Sequence, residues 1–216
     1  MAKPRPTRIV ALAASKGGVG KSTLTAALAV RAAQDGNRVA IIDQDPQLSL
    51  ASWWTRRGKP ANPQLFDADS SSQVAVGLIA AEGWDWLFLD TPPSQLDLIE
   101  SVIISSTMVL IPVRAGYLDL EAVWITEQLC QEHRKPHAFI LNMASPGTKA
   151  TAAVAAGLRT GKRVLLEPFI SNRQSHAEAM FAGKTAAEVR DPTAKQQIDD
   201  LWAAIQAFAS NRKVPA

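Results

Sequence analysis

The segment Lys16-Gly17-Gly18-Val19-Gly20-Lys21-Ser22-Thr23 limits the possible folds more than any other part of the chain, being glycine-rich and carrying a lysine on each side of its glycine run. Ahead of it, Arg8-Ile9-Val10-Ala11-Leu12-Ala13-Ala14 is an apolar run of strand length; behind it, Leu24, Ala27, Leu28 and Ala32 fall on one helical stripe. Strand, loop and helix in that order form the setting in which a glycine-rich loop cradles phosphate. Glycine lets successive backbone N–H groups curl around phosphate oxygens, and the helix that follows adds free amides and the positive end of its dipole. In such a loop Lys21 reaches the β- and γ-phosphates and the Ser22 hydroxyl ligates magnesium. The strict pattern asks for glycine six residues before Lys21, where this chain has Ser15. A plain turn needs one or two glycines and no flanking lysines, so phosphate binding is the better reading.

Strand-like and helix-like segments alternate along the rest of the chain. Strands are expected near 8–14, 38–43, 64–67, 85–90, 107–113, 137–142 and 164–167, and helices near 22–34, 47–57, 71–81, 96–105, 118–133, 149–160, 174–182 and 193–209. This alternation predicts an α/β chain: a three-layer P-loop NTPase fold with a mostly parallel twisted sheet flanked by helices on both faces. A chain of 216 residues that is 47% hydrophobic can bury one sizeable core, so one domain is expected over 1–216, with 1–7 and 211–216 as loose ends. No apolar stretch is long enough to span a bilayer and no signal peptide precedes the first strand, so the expected location is cytoplasmic.

Ligands in such sheets sit at the carboxyl ends of strands, which draws attention to acids placed there. Val39-Ala40-Ile41-Ile42 ends in Asp43-Gln44-Asp45-Pro46-Gln47, and Trp86-Leu87-Phe88-Leu89 ends in Asp90-Thr91-Pro92-Pro93. Asp90 suits the Walker B role of holding magnesium directly or through its water shell. Asp43 and Asp45 alternate along an extended segment, so only one of them points at a nucleotide as Asp90 does. Asp45 has a competing role as a helix N-cap, because Pro46 is a common first helical residue.

These motifs resemble the ParA/MinD group of deviant Walker-type ATPases, on Lys16 to Thr23, Val39 to Gln47 and Phe88 to Pro93, with Leu110 to Val113 and Phe139 to Asn142 similar to the later strands. The resemblance implies ATP/ADP and Mg2+ as cofactors, with Ser22, Asp43 and Asp90 around the metal. It implies that Lys16 is the signature lysine, which crosses a two-fold interface to the partner's phosphates, so that the ATP-bound form is a homodimer. Asp45 is similar to the residue that positions or activates the attacking water, which makes Lys16, Lys21 and Asp45 the catalytic set. Asn142 matches a position that recognises adenine, although the arginine that often follows is Met143 here.

Cys130 is the only cysteine, which excludes the branch that holds an iron–sulfur cluster with two cysteines per subunit. A first strand beginning near Arg8 leaves no room for the helix-turn-helix of larger plasmid relatives. In the last helix Ile198, Leu201, Trp202, Ile205 and Phe208 form a stripe. Asp199 and Asp200 make the other face acidic, so core packing is preferred over an anionic membrane surface. The resemblance then points to the short ParA-like branch: nonspecific DNA binding, association with the nucleoid, and a ParB-like or cargo adaptor partner. Between Pro146 and Arg190 there are seven basic and three acidic residues, from which Arg159, Lys162, Arg163, Arg173 and Lys184 are the DNA-binding candidates. A membrane-positioning ATPase of the MinD type and a small-molecule ligase or kinase of the dethiobiotin synthetase type are the alternatives. Packing or an interface explains the six tryptophans better than base stacking does, and His133, His137 and His176 lack the spacing of a zinc site.

Overall fold

The computed structural model describes residues 6–66, 73–116 and 119–211, with the backbone alone for 119–122. The apolar runs pair as Arg8–Leu12 (β1), Val39–Asp43 (β2), Gln64–Phe66 (β3), Trp86–Asp90 (β4), Met108–Arg114 (β5), His137–Asn142 (β6) and Leu165–Leu166 (β7). They make one sheet in the order β3-β2-β4-β1-β5-β6-β7, with every pairing parallel. Parallel neighbours require crossovers, which are supplied by Lys21–Gln34 (α1), Ser49–Arg56 (α2), Gln73–Ala81 (α3), Leu96–Ser105 (α4), Asp119–Glu132 (α5) and Lys149–Leu158 (α6). Gln174–Phe181 (α7), a 3-10 turn at Ala186–Glu188 and Pro192–Ser210 (α8) complete the chain.

The central strands β2 and β4 are buried along their whole length, which is why they read as continuous apolar runs and not as alternating ones. One side of the sheet packs Leu24 and Leu28 of α1, Trp53 of α2 and Ile198, Leu201, Trp202 and Ile205 of α8; the other packs α3 to α6 through Ile79, Ile99, Cys130 and Leu158. The ring of Trp202 meets Trp86 edge-on at 4.7 Å, so the stripe on α8 belongs to the core, as preferred from the sequence. Burial also places Trp53, Trp84 and Trp86 in packing positions, and it pushes the Cys130 thiol up to about 12, leaving it protonated and inert.

Three local expectations need correction. Helix α2 begins at Ser49 and not near 47, because the Leu48 amide closes a turn onto the Asp45 carbonyl at 2.8 Å and Leu48 itself is left-handed, with φ 49. Strand β1 stops at Leu12, although the Ala13 amide still bonds Leu110 O at 3.1 Å as the chain turns into the loop. At the ends, Thr7 is not loose: its hydroxyl lies 2.7 Å from the carbonyls of Ala80 and Trp84, and the Asn211 amide donates to Ala207 O to close α8. Residues 1–5 and 212–216 lie outside the described residues.

Candidate active site

The glycine-rich loop joins the tip of β1 to the first turn of α1. Gly20 is left-handed at φ 87 directly before Lys21, a conformation that glycine adopts without strain. Gly18 is also left-handed, and a side-chain carbon there would meet nothing within 4 Å, so the loop backbone stands open at that point. The first turn of α1 carries no acidic residue, so its amides and dipole are suited to receive an anion. Lys21 is buried, its Nζ reaching the Ala14 carbonyl at 3.4 Å. Burial lowers its pKa, while Asp90 and Asp45 pull the other way.

Sheet register brings the strand-tip acids together. Asp43 and Asp90 are directly paired across β2 and β4, and Leu12 at the tip of β1 pairs with Asp90 from the other side. The two acids differ in what satisfies them. Asp43 accepts from the amides of Asp45 (3.1 Å) and Ala51 (2.9 Å), so it ties the start of α2 to the strand tip. Asp90 is fully buried and neither carboxylate oxygen has a hydrogen-bond partner. Burial pushes its carboxyl up to about 7 and the charges of Asp43 and Asp45 add to the rise, while the nearby Ser22 hydroxyl, which lies outside hydrogen-bond geometry, and the Lys21 charge oppose it. An orphaned buried carboxylate is costly without a cation to answer it. Ser22 and Asp90 therefore fit Mg2+, with Asp43 beside them. Among the described residues no three His, Cys, Asp or Glu side chains could hold a metal unaided, so the remaining ligands have to come from phosphate and water.

Asp45 does not cap α2. Its Oδ1 accepts from the Gln47 amide at 2.9 Å in a tight turn, and it stands half-exposed at the rim. Lys16 is half-buried in the loop, while Leu48, Leu96 and Leu98 are exposed in the segments that follow Asp45 and Asp90. The segment after β4 also packs on the loop: the Ser94 amide donates to Ser15 O at 2.9 Å, and a Cβ on Gly17 would touch Pro93 at 3.6 Å. The sequence reading missed these contacts, which depend on a fold-back across 79 residues. Asn142 lies against the same loop, its Nδ2 donating to Val19 O at 2.8 Å. Beside it a cavity of about 120 Å³ runs between Thr23, Met143, Asn172 and His176.

Residues 10–186 match the family described as the CobQ/CobB/MinD/ParA nucleotide binding domain. The chain belongs to that family. It is a P-loop ATPase of the ParA/MinD type. It is 26% identical over 202 residues to maintenance of carboxysome distribution protein A of Halothiobacillus neapolitanus, covering 89% of this chain and 93% of that protein. It is 29% identical over 195 residues to protein ParA of Rhizobium radiobacter, covering 81% and 83%. Its fold matches the septum site-determining protein MinD of Pyrococcus horikoshii complexed with Mg-ADP, with a TM-score of 0.77 at 17% identity, over 95% of this chain and 98% of that one.

The DNA-binding candidates of this ParA/MinD-type chain fall into two groups. Arg159 pairs with Glu167, Arg163 forks onto Glu127 at 2.7 and 2.9 Å, and Arg173 reaches Asp191 at 2.6 Å. These three guanidinium charges are already answered within the fold. Lys162 and Lys184 are exposed and make no ion pair among the described residues. Sequence spacing alone does not separate the two groups, since the partner acids lie 8, 36 and 18 residues away.

Proposed function

We propose that the chain is an ATP-driven positioning ATPase of the partition type. ATP closes a homodimer, the dimer holds nonspecific DNA, a ParB-like or cargo adaptor completes the site, and hydrolysis releases the protein. The observation that carries this reading is the pairing of the orphaned Asp90 with Asp43 at adjoining strand tips beneath Lys21, with Lys16 and the exposed Leu48, Leu96 and Leu98 around the rim. Exposed leucines around a phosphate site are what a second subunit would cover.

Within one subunit the loop amides and Lys21 hold the phosphates, and burial around Asp90 keeps water out. Bound Mg2+ would neutralise charge on the β- and γ-phosphate oxygens. Asp45, anchored by its turn, holds the attacking water, and Lys16 brings a positive charge from the partner. Transfer to water has a loose transition state, so placing charge and orienting the water supply most of the acceleration. A site that needs the partner's lysine hydrolyses slowly until the dimer forms.

The test is binding to a nonspecific duplex with ATP and Mg2+ at low salt, followed as salt rises. Salt-sensitive, ATP-dependent binding is expected. Hydrolysis without any DNA binding would remove the partition reading, and ATP-dependent binding to anionic liposomes would replace it with the MinD type. In the same assay Asp45→Ala should accumulate as an ATP-bound dimer, visible as a doubled mass in light scattering.

A further inference from the structure

Three of the cations that the fold leaves unanswered, Arg56, Lys59 and Lys184, lie near the place where the end of α2 meets the end of α7. The Arg56 guanidinium reaches Met180 O at 3.4 Å, the Arg57 guanidinium donates to Gly183 O at 3.1 Å, and the Trp53 indole N–H donates to Lys184 O at 3.0 Å. The two backbones touch here: a Cβ on Gly183 would lie 2.6 Å from Arg56 C and Arg57 N. Arg57 is taken by Glu188 at 2.7 and 2.8 Å. Arg56 bonds only the neutral Ser52 hydroxyl and a carbonyl, and Lys184 and the nearby Lys59 are exposed; none of the three has an acidic partner among the described residues. Phe181, between Met180 and this junction, is 81% exposed, more than any other large apolar side chain described. Helix α7 carries one carboxylate, Glu178, a turn earlier.

We propose that Arg56, Phe181 and Lys184 are the DNA-contacting face of this chain, the two cations meeting phosphates while the phenyl ring lies against the groove wall. This rests on the DNA reading given above and names its surface. Charge complementarity selects the partner: duplex DNA presents a negative charge about every 1.7 Å along its axis, and cations on a fixed junction lose little freedom in meeting it. A bilayer is a poorer match. One phenyl ring buries far less apolar surface than an acyl chain, and even a whole acyl chain is only a marginal anchor. The face also has a physical link to the nucleotide: Asp43 holds the Ala51 amide in the first turn of α2, and the helix ends at Arg56, about 7.5 Å further along its axis.

The experiment is fluorescence anisotropy of a labelled nonspecific duplex with ATP and Mg2+ across a salt series. Arg56→Gln and Lys184→Gln should each weaken binding and lower the log–log salt slope by about 2 for a dimer, since each lost phosphate contact removes about 0.9. Phe181→Ser should weaken binding several-fold at an unchanged slope. Lys162→Gln, a cation away from this face, should bind like the wild type, and basal ATP hydrolysis should persist in all four variants. Wild-type binding with unaltered slopes in Arg56→Gln and Lys184→Gln would overturn the assigned face while leaving the DNA reading intact. No wild-type binding at low salt would instead overturn the DNA reading itself. Loss of liposome binding in these variants, with DNA binding unchanged, would assign the face to a membrane and overturn the proposal.

Discussion

The side-chain amide of Asn142 donates to the carbonyl of Val19 at 2.8 Å, fixing the tip of β6 to a loop 123 residues earlier in the chain. The contact is tight on both sides, because a Cβ on Gly20 would overlap the same Nδ2. Asn142→Ala leaves a buried carbonyl unpaired, at a cost of about 1–3 kcal/mol. For a chain of this size each kcal/mol corresponds to about 2–4 °C in melting temperature.

Gly20→Ala adds a left-handed penalty of about 1–2 kcal/mol to that steric overlap. Because the overlapping atom belongs to Asn142, the double variant Gly20→Ala with Asn142→Ala should lose less than the sum of the singles. Calorimetry of the four proteins measures the coupling, and strict additivity would mean that the side chain moves aside freely. ATP affinity should fall in both single variants.

The unpartnered carboxylate of Asp90 makes a pH prediction with a definite sign. Its folded pKa of about 7 lies above the ordinary carboxylate value of 3.8, so the folded nucleotide-free protein binds more protons than the unfolded chain between those limits. Stability of the nucleotide-free protein should therefore fall as pH rises from 4 to 7, by at most about 4 kcal/mol from this group. Asp90→Asn should flatten that slope and raise the melting temperature at pH 7.5, while abolishing hydrolysis. Equal slopes in the two proteins would show that the carboxyl is already compensated. Such a trade of stability for function belongs to a site that awaits a cation.

How much of this was legible in the sequence follows from how local each signal is. Element order and a mostly parallel sheet came from apolar runs and helical stripes, which need only neighbouring residues; that every pairing is parallel came from the fold. The strand-tip placement of Asp43 and Asp90 came the same way, whereas their direct pairing did not, since register between β2 and β4 is set by packing. The 3-10 turn at Ala186–Glu188 had a local signal, the Thr185 and Glu188 capping box, that the sequence reading passed over. Long-range polar contacts left no local trace: the Asn142 amide beneath the loop, the Ser94 fold-back onto Ser15, and the acids that answer Arg159, Arg163 and Arg173. Charge counting along the chain treated those three arginines and Lys184 alike, and only the fold separates them.

Lys16 and Lys21 should separate in solution. Lys21 is buried at the start of α1 behind the glycine-rich loop, so Lys21→Ala should lose nucleotide binding itself. Lys16→Ala should still bind ATP, within a few-fold of wild type, yet hydrolyse at less than about a hundredth of the partner-stimulated rate, the range seen for removal of a charge that acts in the transition state. Mixing Lys16→Ala with an Asp45→Ala chain tests the exchange of lysines, since one of the two sites in a mixed dimer then has both groups intact. Recovery of activity on mixing is expected, and normal turnover by Lys16→Ala alone would contradict the cross-subunit role.

The junction of α2 with the turn after α7 predicts a graded series. Burial alone would raise the Glu188 carboxyl, yet the Arg57 guanidinium and the Thr185 amide and hydroxyl hold it below the ordinary value. A depressed carboxyl contributes stability that is present above its unfolded pKa and lost as pH falls through its folded pKa. Glu188→Gln should therefore cost about 1–3 kcal/mol at neutral pH and remove part of the acid sensitivity below about pH 4.5. Gly183→Ala should cost at least as much, because its overlap is with the backbone of Arg56 and Arg57, which has no rotamer to escape into, and because Gly183 has φ 69. Urea titration at pH 7.5 and pH 4 gives both comparisons. If Gly183→Ala were neutral, the two helix ends would not be in contact in solution, and the rigidity assigned to the Arg56 and Lys184 face would go with it.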